Sequence, residues 1–172
     1  MASGPRGREV GAVNLQFGDE IIEGKIEIMA SASNSIDISR PAAEVYQFVA
    51  DGLNNPKWRS AVTGISLASG TPGAVGAVYM QTLKGPLGSK VAGDYRIVEA
   101  APNSRLKFEV ITGPARPVGL FELSQSGDGC RLSFSLSLQP TGLMRLMDGM
   151  IQRTMDAEVQ NLSALKTAIE AR

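Results

Sequence analysis

The sequence predicts an α+β fold in which one antiparallel sheet packs against a long C-terminal helix. Three features indicate this fold: alternating apolar and polar segments in the middle of the chain, short linkers of turn-forming residues between them, and an amphipathic segment at the end. A chain of 172 residues, 43% hydrophobic and 20% charged, fits a single domain large enough to bury its own core. We therefore expect about six or seven strands in one sheet.

The predicted domain opens with a strand and two short helices. The stretch "SIDISR", which begins at Ser35, alternates as a half-buried strand does. In "PAAEVYQFVAD", Pro41 stands at a helix-start position, and apolar residues follow at helical spacing. A second short helix is predicted in "NNPKWRSAV", where Asn55 and Pro56 open it.

The residues before Ser35 are predicted to form an N-terminal extension, residues 1–34, that is partly disordered. Its start, "MASGPRGREVG", is rich in Gly, Pro and Arg, which is typical of disordered termini. Residues 23–28 alternate in a way that fits an edge strand. The folded domain is accordingly placed at residues 35–172.

The middle of the chain predicts an antiparallel meander. Its strand segments are "AVGAVYMQTLKG", "GSKVAGDYRIVEA", "SRLKFEVIT", "VGLFELSQ" and "CRLSFSLSLQP", and their short linkers contain the residues that turns need. Alternation predicts one buried and one wet face. The residues expected inside are Tyr95, Ile97, Leu106, Phe108, Val110, Phe121, Leu123, Leu132, Phe134, Leu136 and Leu138, and those expected outside are Asp94, Glu99, Glu109 and Glu122.

In the first of these segments, two sets of alternate residues are candidates for the inward face. In "AVGAVYMQT", one reading places Val78, Met80 and Thr82 inside. The other places Ala77, Tyr79 and Gln81 inside, and both sets are tolerable on a buried face.

The final segment, "GLMRLMDGMIQRTMDAEVQNLSALKTAIEAR", predicts one continuous helix of about thirty residues, roughly 40 Å long or more, with a single buried stripe. Its first half carries Met144, Met147, Met150 and Met155. Methionine side chains fill irregular gaps in a core, and they also form adaptable walls of binding pockets. The residues alone favour core filling.

Composition excludes several kinds of function. Seventeen basic residues balance seventeen acidic ones, so we expect no nucleic-acid partner. With a single cysteine, Cys130, and no histidine, we expect no metal, no cofactor and no catalytic thiolate or histidine. The stretch "GTPGAVGAVYM" lacks the Lys-Ser/Thr of a phosphate-binding loop. No segment has the pattern of a membrane span or a signal peptide, which predicts a cytoplasmic protein without integral membrane association.

Four stretches, in order, resemble the START-like (SRPBCC) superfamily, and within it the polyketide cyclase/dehydrase and lipid transport family. They are "SIDISRPAAEVYQFVADGLNNPKW", "YRIVEAAPNSRLKFEV", "LFELSQSGDGCRLSFSLSLQP" and "NLSALKTAIE", and the resemblance covers residues 35–172. It implies a helix-grip fold, in which the sheet curls around the long helix and leaves an internal cavity for a hydrophobic or amphipathic small molecule. It also favours the methionines as pocket walls.

The resemblance and the alternation pattern together suggest a set of ligand-binding residues, and no catalytic residue is assigned. Trp58 is expected to pack the short helices near the cavity mouth or to contact the ligand, and Arg116 lies on a loop that could close over an opening and pair with a carboxylate. The full set of candidates is Trp58, Tyr79, Met80, Tyr95, Phe108, Arg116, Phe121, Phe134, Met147, Met150 and Ile151.

The function implied is that of a carrier or sequestering protein for a lipid, polyketide, isoprenoid or quinone. The alternative is an enzyme of the polyketide cyclase/aromatase type, which positions a polyketide chain with a few polar pocket residues. The lack of histidine and of an inward acid/base pair argues against the enzyme. The sequence leaves the oligomeric state open.

Overall fold

The computed structural model describes residues 30–113, 115–139, 142 and 147–172. Within these residues, no helix is both long enough and apolar enough to cross a membrane. The elements in chain order are β1 (Ala30–Ile38), α1 (Ala42–Ala50), a 3-10 helix (Gly52–Lys57), β2 (Val62–Ser69), β3 (Val78–Lys84), a 3-10 turn (Pro86–Gly88), β4 (Lys90–Ala92), β5 (Tyr95–Ala101), β6 (Arg105–Val110), β7 (Val118–Ser126), β8 (Gly129–Leu138), α2 (Asp148–Gln160) and α3 (Leu162–Glu170).

The strands form one eight-stranded antiparallel sheet in the order β1-β8-β7-β6-β5-β3-β2, with β4 paired to β3. This confirms the predicted α+β helix-grip fold, with more strands than the six or seven expected. Strand β1 begins at Ala30 rather than at Ser35, because Ala30 already pairs with Leu138 in β8. The predicted edge strand at residues 23–28 lies outside the described residues.

The two faces of the sheet differ as the alternation predicted. In β8, Leu132, Phe134, Leu136 and Leu138 are buried, while the serines between them are half-buried. Helices α2 and α3 pack on β1, and α2 also contacts β8. The buried stripe of the two helices consists of Met155, Val159, Leu162, Leu165 and Ile169.

The C-terminal segment forms two consecutive helices, which corrects the prediction of one continuous helix. They contain 13 and 9 residues and meet at Asn161. There ψ is −8°, far from the value of about −42° in an α-helix, and the Asn161 N–H bonds the Glu158 carbonyl three residues back. The Leu165 N–H still bonds the Asn161 carbonyl at 3.0 Å, so the two helices follow each other closely.

The second short helix also differs from its prediction. It is a 3-10 helix that begins at Gly52, ahead of Asn55, because the Asp51 carboxylate accepts a hydrogen bond from the Leu53 N–H at 3.0 Å. Glycine is needed here, since a Cβ at Gly52 would lie 2.1 Å from the Tyr95 hydroxyl oxygen. The turn after α1 therefore presses directly on the inner face of the sheet.

Gly119 in β7 gives a test of how tightly this inner face is packed. A Cβ at Gly119 would lie 2.1 Å from the ring of Phe108. We expect Gly119→Ala to lower the free energy of unfolding by about 1–3 kcal/mol, because the ring must leave its position. Chemical denaturation measures this change.

Gly64→Ala is the matched control, because Gly64 is also a strand glycine and nothing lies within 4 Å of its Cβ position. We expect it to change the free energy of unfolding by less than about 0.5 kcal/mol. Equal losses in both variants would contradict the close packing of Phe108 against β7.

Candidate functional site

An aromatic row crosses the inner face of the sheet. It consists of one side chain from each of five neighbouring strands: Tyr79, Tyr95, Phe108, Phe121 and Phe134. The ring centroids of successive members are 5.1, 5.2, 6.1 and 4.4 Å apart. These are the distances at which aromatic pairs attract, so the row is a continuous apolar wall.

Trp58, which follows the 3-10 helix, covers one end of the aromatic row. Its ring meets Phe121 and Phe134 edge-on, with centroids 6.3 and 6.4 Å away. The side chain is 4% exposed, and its buried Nε1–H has no hydrogen-bond partner among the described residues. Leaving a buried donor unpaired is energetically unfavourable, and most buried donors have a partner. The unpaired Trp58 Nε1–H is therefore an unusual feature of this site.

A small cavity lies between Trp58, α1 and the aromatic row. It leaves about 10 Å³ for the centre of a water molecule, which is room for about one water. Five of the predicted ligand-binding residues meet there: Trp58, Tyr95, Phe108, Phe121 and Phe134. The remaining wall residues are Val49, Ala50, Asn55, Arg59, Ile97 and Leu106.

A polar cluster, formed by Asn55, Arg59, Gln81, Tyr95 and Glu158, adjoins the cavity. The Asn55 amide donates to Gln81 Oε1 at 3.0 Å and to the Tyr95 hydroxyl at 3.2 Å. Arg59 Nη1 donates to the same Gln81 oxygen at 3.4 Å. Asn55 and Gln81 are 6% and 4% exposed, so these bonds replace water that both amides have lost.

An ion pair joins the polar cluster to the C-terminal helix. Arg59 Nε donates to the Glu158 carboxylate on α2, and the two side chains are 12% and 18% exposed. The pair connects the segment after Trp58 to helix α2, which packs on β1 and β8. Its charges cancel, so the cluster adds no net charge at the edge of the cavity.

Burial sets the protonation of the tyrosines. Desolvation raises the pKa of Tyr95 well above its usual value, and the nearby Tyr79 hydroxyl adds to this shift, while Arg59 and the hydrogen bond from Asn55 oppose it. Desolvation also raises the pKa of Tyr79, whose hydroxyl accepts from the Gly73 N–H at 3.2 Å and donates to the Ala50 carbonyl at 3.5 Å. Both phenols therefore stay protonated near neutral pH.

In the structure, Tyr79 and its alternate neighbours in β3 face the inside of the sheet. Ala77, Tyr79 and Gln81 are buried, and Met80 between them is 56% exposed. The inclusion of Met80 in the cavity wall is corrected, because successive side chains of a strand point to opposite faces. Tyr79 itself stacks on Tyr95 without lining the cavity.

The described methionines of the C-terminal segment, Met147, Met150 and Met155, do not line the cavity either. Met147 and Met150 are 46% and 52% exposed, and Met155 is buried in the core. The placement of the first two in the cavity wall is corrected, since the buried stripe of α2 runs through Met155 and Val159 instead. Ile151 is partly buried against the core, and Met144 lies outside the described residues.

Arg116 is exposed on the loop before β7, away from the cavity wall. The polar members Asn55, Arg59, Gln81 and Glu158 were not predicted as site residues. Gln81 lies two residues after Tyr79 and therefore on the same face of β3, so the alternation pattern could have predicted it as a site residue. The alternation pattern was ambiguous, because either set of alternate residues in β3 could face the inside of the sheet.

The Arg59–Glu158 pair can be tested by removing one charge. At neutral pH, we expect Glu158→Gln to lower the free energy of unfolding by about 2–3 kcal/mol, because it leaves a largely buried guanidinium without its counter-charge. Thermal and chemical denaturation measure this. The control is Glu122→Gln, since Glu122 is 55% exposed in its pair with Arg105 and should cost less than about 1 kcal/mol. Similar losses would contradict a special role for Glu158.

The tyrosines give a test at alkaline pH. All three in the chain, Tyr46, Tyr79 and Tyr95, are buried, and desolvation raises the pKa of each above the usual 10.0. The stabilisation from keeping them neutral is complete below about pH 10 and is lost as the pH rises above it, because the unfolded chain ionises first. Phenolate absorbance should therefore appear in one step, together with loss of the helix signal in circular dichroism. Titration of any tyrosine in the folded protein near pH 10 would be inconsistent with this burial.

Comparisons with known proteins agree on the family. A family model described as polyketide cyclase / dehydrase and lipid transport matches residues 29–170. An uncharacterized protein of Mycobacterium tuberculosis (strain ATCC 25618 / H37Rv) is 22% identical over 116 residues, which cover 65% of this chain and 67% of that protein.

Solved structures show the same fold. A START superfamily protein from Mycobacterium smegmatis has a TM-score of 0.66 and 15% identity, with 82% of this chain and 97% of that one covered. The di-domain ARO/CYC StfQ from the steffimycin biosynthetic pathway has a TM-score of 0.70 and 14% identity, with 87% of this chain and 54% of that one covered. Since the family match spans both the sheet and the C-terminal helices, the chain belongs to the polyketide cyclase/dehydrase and lipid transport family.

Proposed function

We propose that this protein binds a hydrophobic or amphipathic small molecule between the sheet and its covering helices, as a carrier or sequestering protein. The observation that carries the proposal is that four members of the aromatic row, Tyr95, Phe108, Phe121 and Phe134, form one wall of an internal cavity beside a polar cluster. Apolar walls with a few convergent polar groups are typical of small-molecule sites. The ligand types that fit this chemistry are lipids, polyketides, isoprenoids and quinones.

The cavity must widen to accept such a ligand. Its room for about one water is far below the volume of about 300 Å³ or more that is usual for a ligand pocket. Several side chains, Phe108 and Phe121 among them, would have to change rotamer, and that cost lowers the apparent affinity. Binding is therefore expected to be weaker than the apolar area alone suggests.

The second candidate function is an enzyme of the polyketide cyclase/aromatase type. The observation in its favour is the protonated Tyr95 hydroxyl beside the cavity, which suits polarisation of a substrate carbonyl. A phenol held protonated does not serve as a base, and the neighbouring carboxylate of Glu158 is engaged by Arg59. The site thus suits binding better than proton transfer.

Blocking the cavity tests the binding proposal. Leu106 is a buried wall residue, and we expect Leu106→Trp to fill the space and weaken binding of 1-aminoanthracene, a neutral fluorescent probe, about tenfold or more. Fluorescence titration measures the affinity, and native mass spectrometry with solvent extraction identifies any molecule that the purified protein retains.

Met150→Trp is the matched control, because Met150 is exposed and should tolerate the same side chain without loss of binding. Val49→Ile adds a single methylene group to the wall and serves if Leu106→Trp does not fold. The proposal fails if the wild-type protein neither retains a molecule nor binds the probe, or if the Leu106 variant binds as well as the control.

A further inference from the structure

The unpaired indole N–H of Trp58 is the most informative group in the cavity wall. Trp58 lines the cavity, its side chain is 4% exposed, and within the described part of the chain its Nε1–H meets no acceptor. Buried donors in folded proteins almost always have a partner. A group that accepts a hydrogen bond from inside the cavity would supply it.

Tyr95 offers a second donor to the same cavity. Its hydroxyl oxygen accepts from the Asn55 amide at 3.2 Å, which leaves the phenolic proton available to donate. Gln81 Oε1, an acceptor in the same polar cluster, already receives bonds from Asn55 and Arg59. The polar edge of the cavity is therefore rich in donors.

The charge balance of the polar cluster decides what kind of acceptor fits. Glu158 already neutralises Arg59, and the rest of the cavity wall is apolar or uncharged. A carboxylate would bring an uncompensated negative charge into a desolvated aromatic site, which is strongly unfavourable. A neutral oxygen acceptor carries no such penalty.

We propose that the ligand of this cavity is a neutral carbonyl compound whose oxygen accepts a hydrogen bond from Trp58 Nε1–H. This inference rests on the proposed binding function and narrows its ligand class to ketones, quinones and esters with an apolar body. The carbonyl oxygen occupies the space that now has room for about one water, and the apolar body displaces side chains of the wall.

The test uses three probes of similar shape: acetophenone, ethylbenzene and benzoate. Because the chain contains a single tryptophan, the indole N–H gives one resonance in a nitrogen–proton correlation spectrum. Titration with acetophenone should move this resonance downfield and saturate, whereas ethylbenzene should bind without the downfield shift. Benzoate should bind more weakly than acetophenone.

Trp58→Phe separates the hydrogen bond from the apolar contact. The ratio of the ethylbenzene to the acetophenone dissociation constant should fall about tenfold in this variant, because only acetophenone loses a hydrogen bond. Phe108→Leu is the matched control: Phe108 lies in the same aromatic wall but packs on Tyr95, Phe121 and Phe134, so the indole donor is kept and the ratio should stay within about twofold of the wild type.

The outcomes separate this inference from the proposed function. If both neutral probes bind but the indole resonance does not move downfield, or the ratio is unchanged in Trp58→Phe, the carbonyl inference is overturned and the binding function stands. Tighter binding of benzoate than of acetophenone overturns the preference for a neutral acceptor. If no probe binds, both the binding function and the carbonyl inference are overturned.

Discussion

The stacking of aromatic rings across the inner face of the sheet is the interaction on which the rest of the structure depends. A shift of one residue in the register of any of these strands would turn its ring to the outer face. Gly52 and Gly119 leave the space that Tyr95 and Phe108 occupy, and Trp58 closes the row edge-on. Because the rings pack against each other, the space between sheet and helices narrows to a small cavity.

The polar cluster is the exception within this apolar interior. Burying two amides, a guanidinium and a carboxylate is unfavourable unless each is paired, and here each has a partner within the cluster. The cluster holds four separate parts of the chain together: the segment after α1, strands β3 and β5, and helix α2. In the proposed function, the polar groups beside the apolar wall orient a ligand that has one polar end.

The fold by itself is compatible with a binding protein and with an enzyme. The distinction between the two depends on the residues of the site. Aromatic walls are stiffer than the methionine wall that the sequence suggested, since rings have fewer rotatable bonds than thioethers. A stiff wall selects ligands by shape, and it must be displaced before a large ligand can enter. Burial raises the pKa of Tyr95, so its hydroxyl stays protonated at neutral pH and, in the proposed function, is available to donate a hydrogen bond to an oxygen atom of the ligand.

The sequence by itself determined the fold class and most of the inner face, because alternation in the strands and helical spacing in α1 and α3 report burial directly. The family followed from the resemblance of four stretches of the chain, which the family model confirms. Among the predicted ligand-binding residues, Trp58, Tyr95, Phe108, Phe121 and Phe134 line the cavity, and their contact with a ligand stays a prediction. Only the tertiary structure decided the phase of β3, the break at Asn161 and the outward position of Met147 and Met150. It alone brought Asn55, Arg59, Gln81 and Glu158 together, because hydrogen bonds between residues far apart in the chain leave no periodic pattern in the sequence.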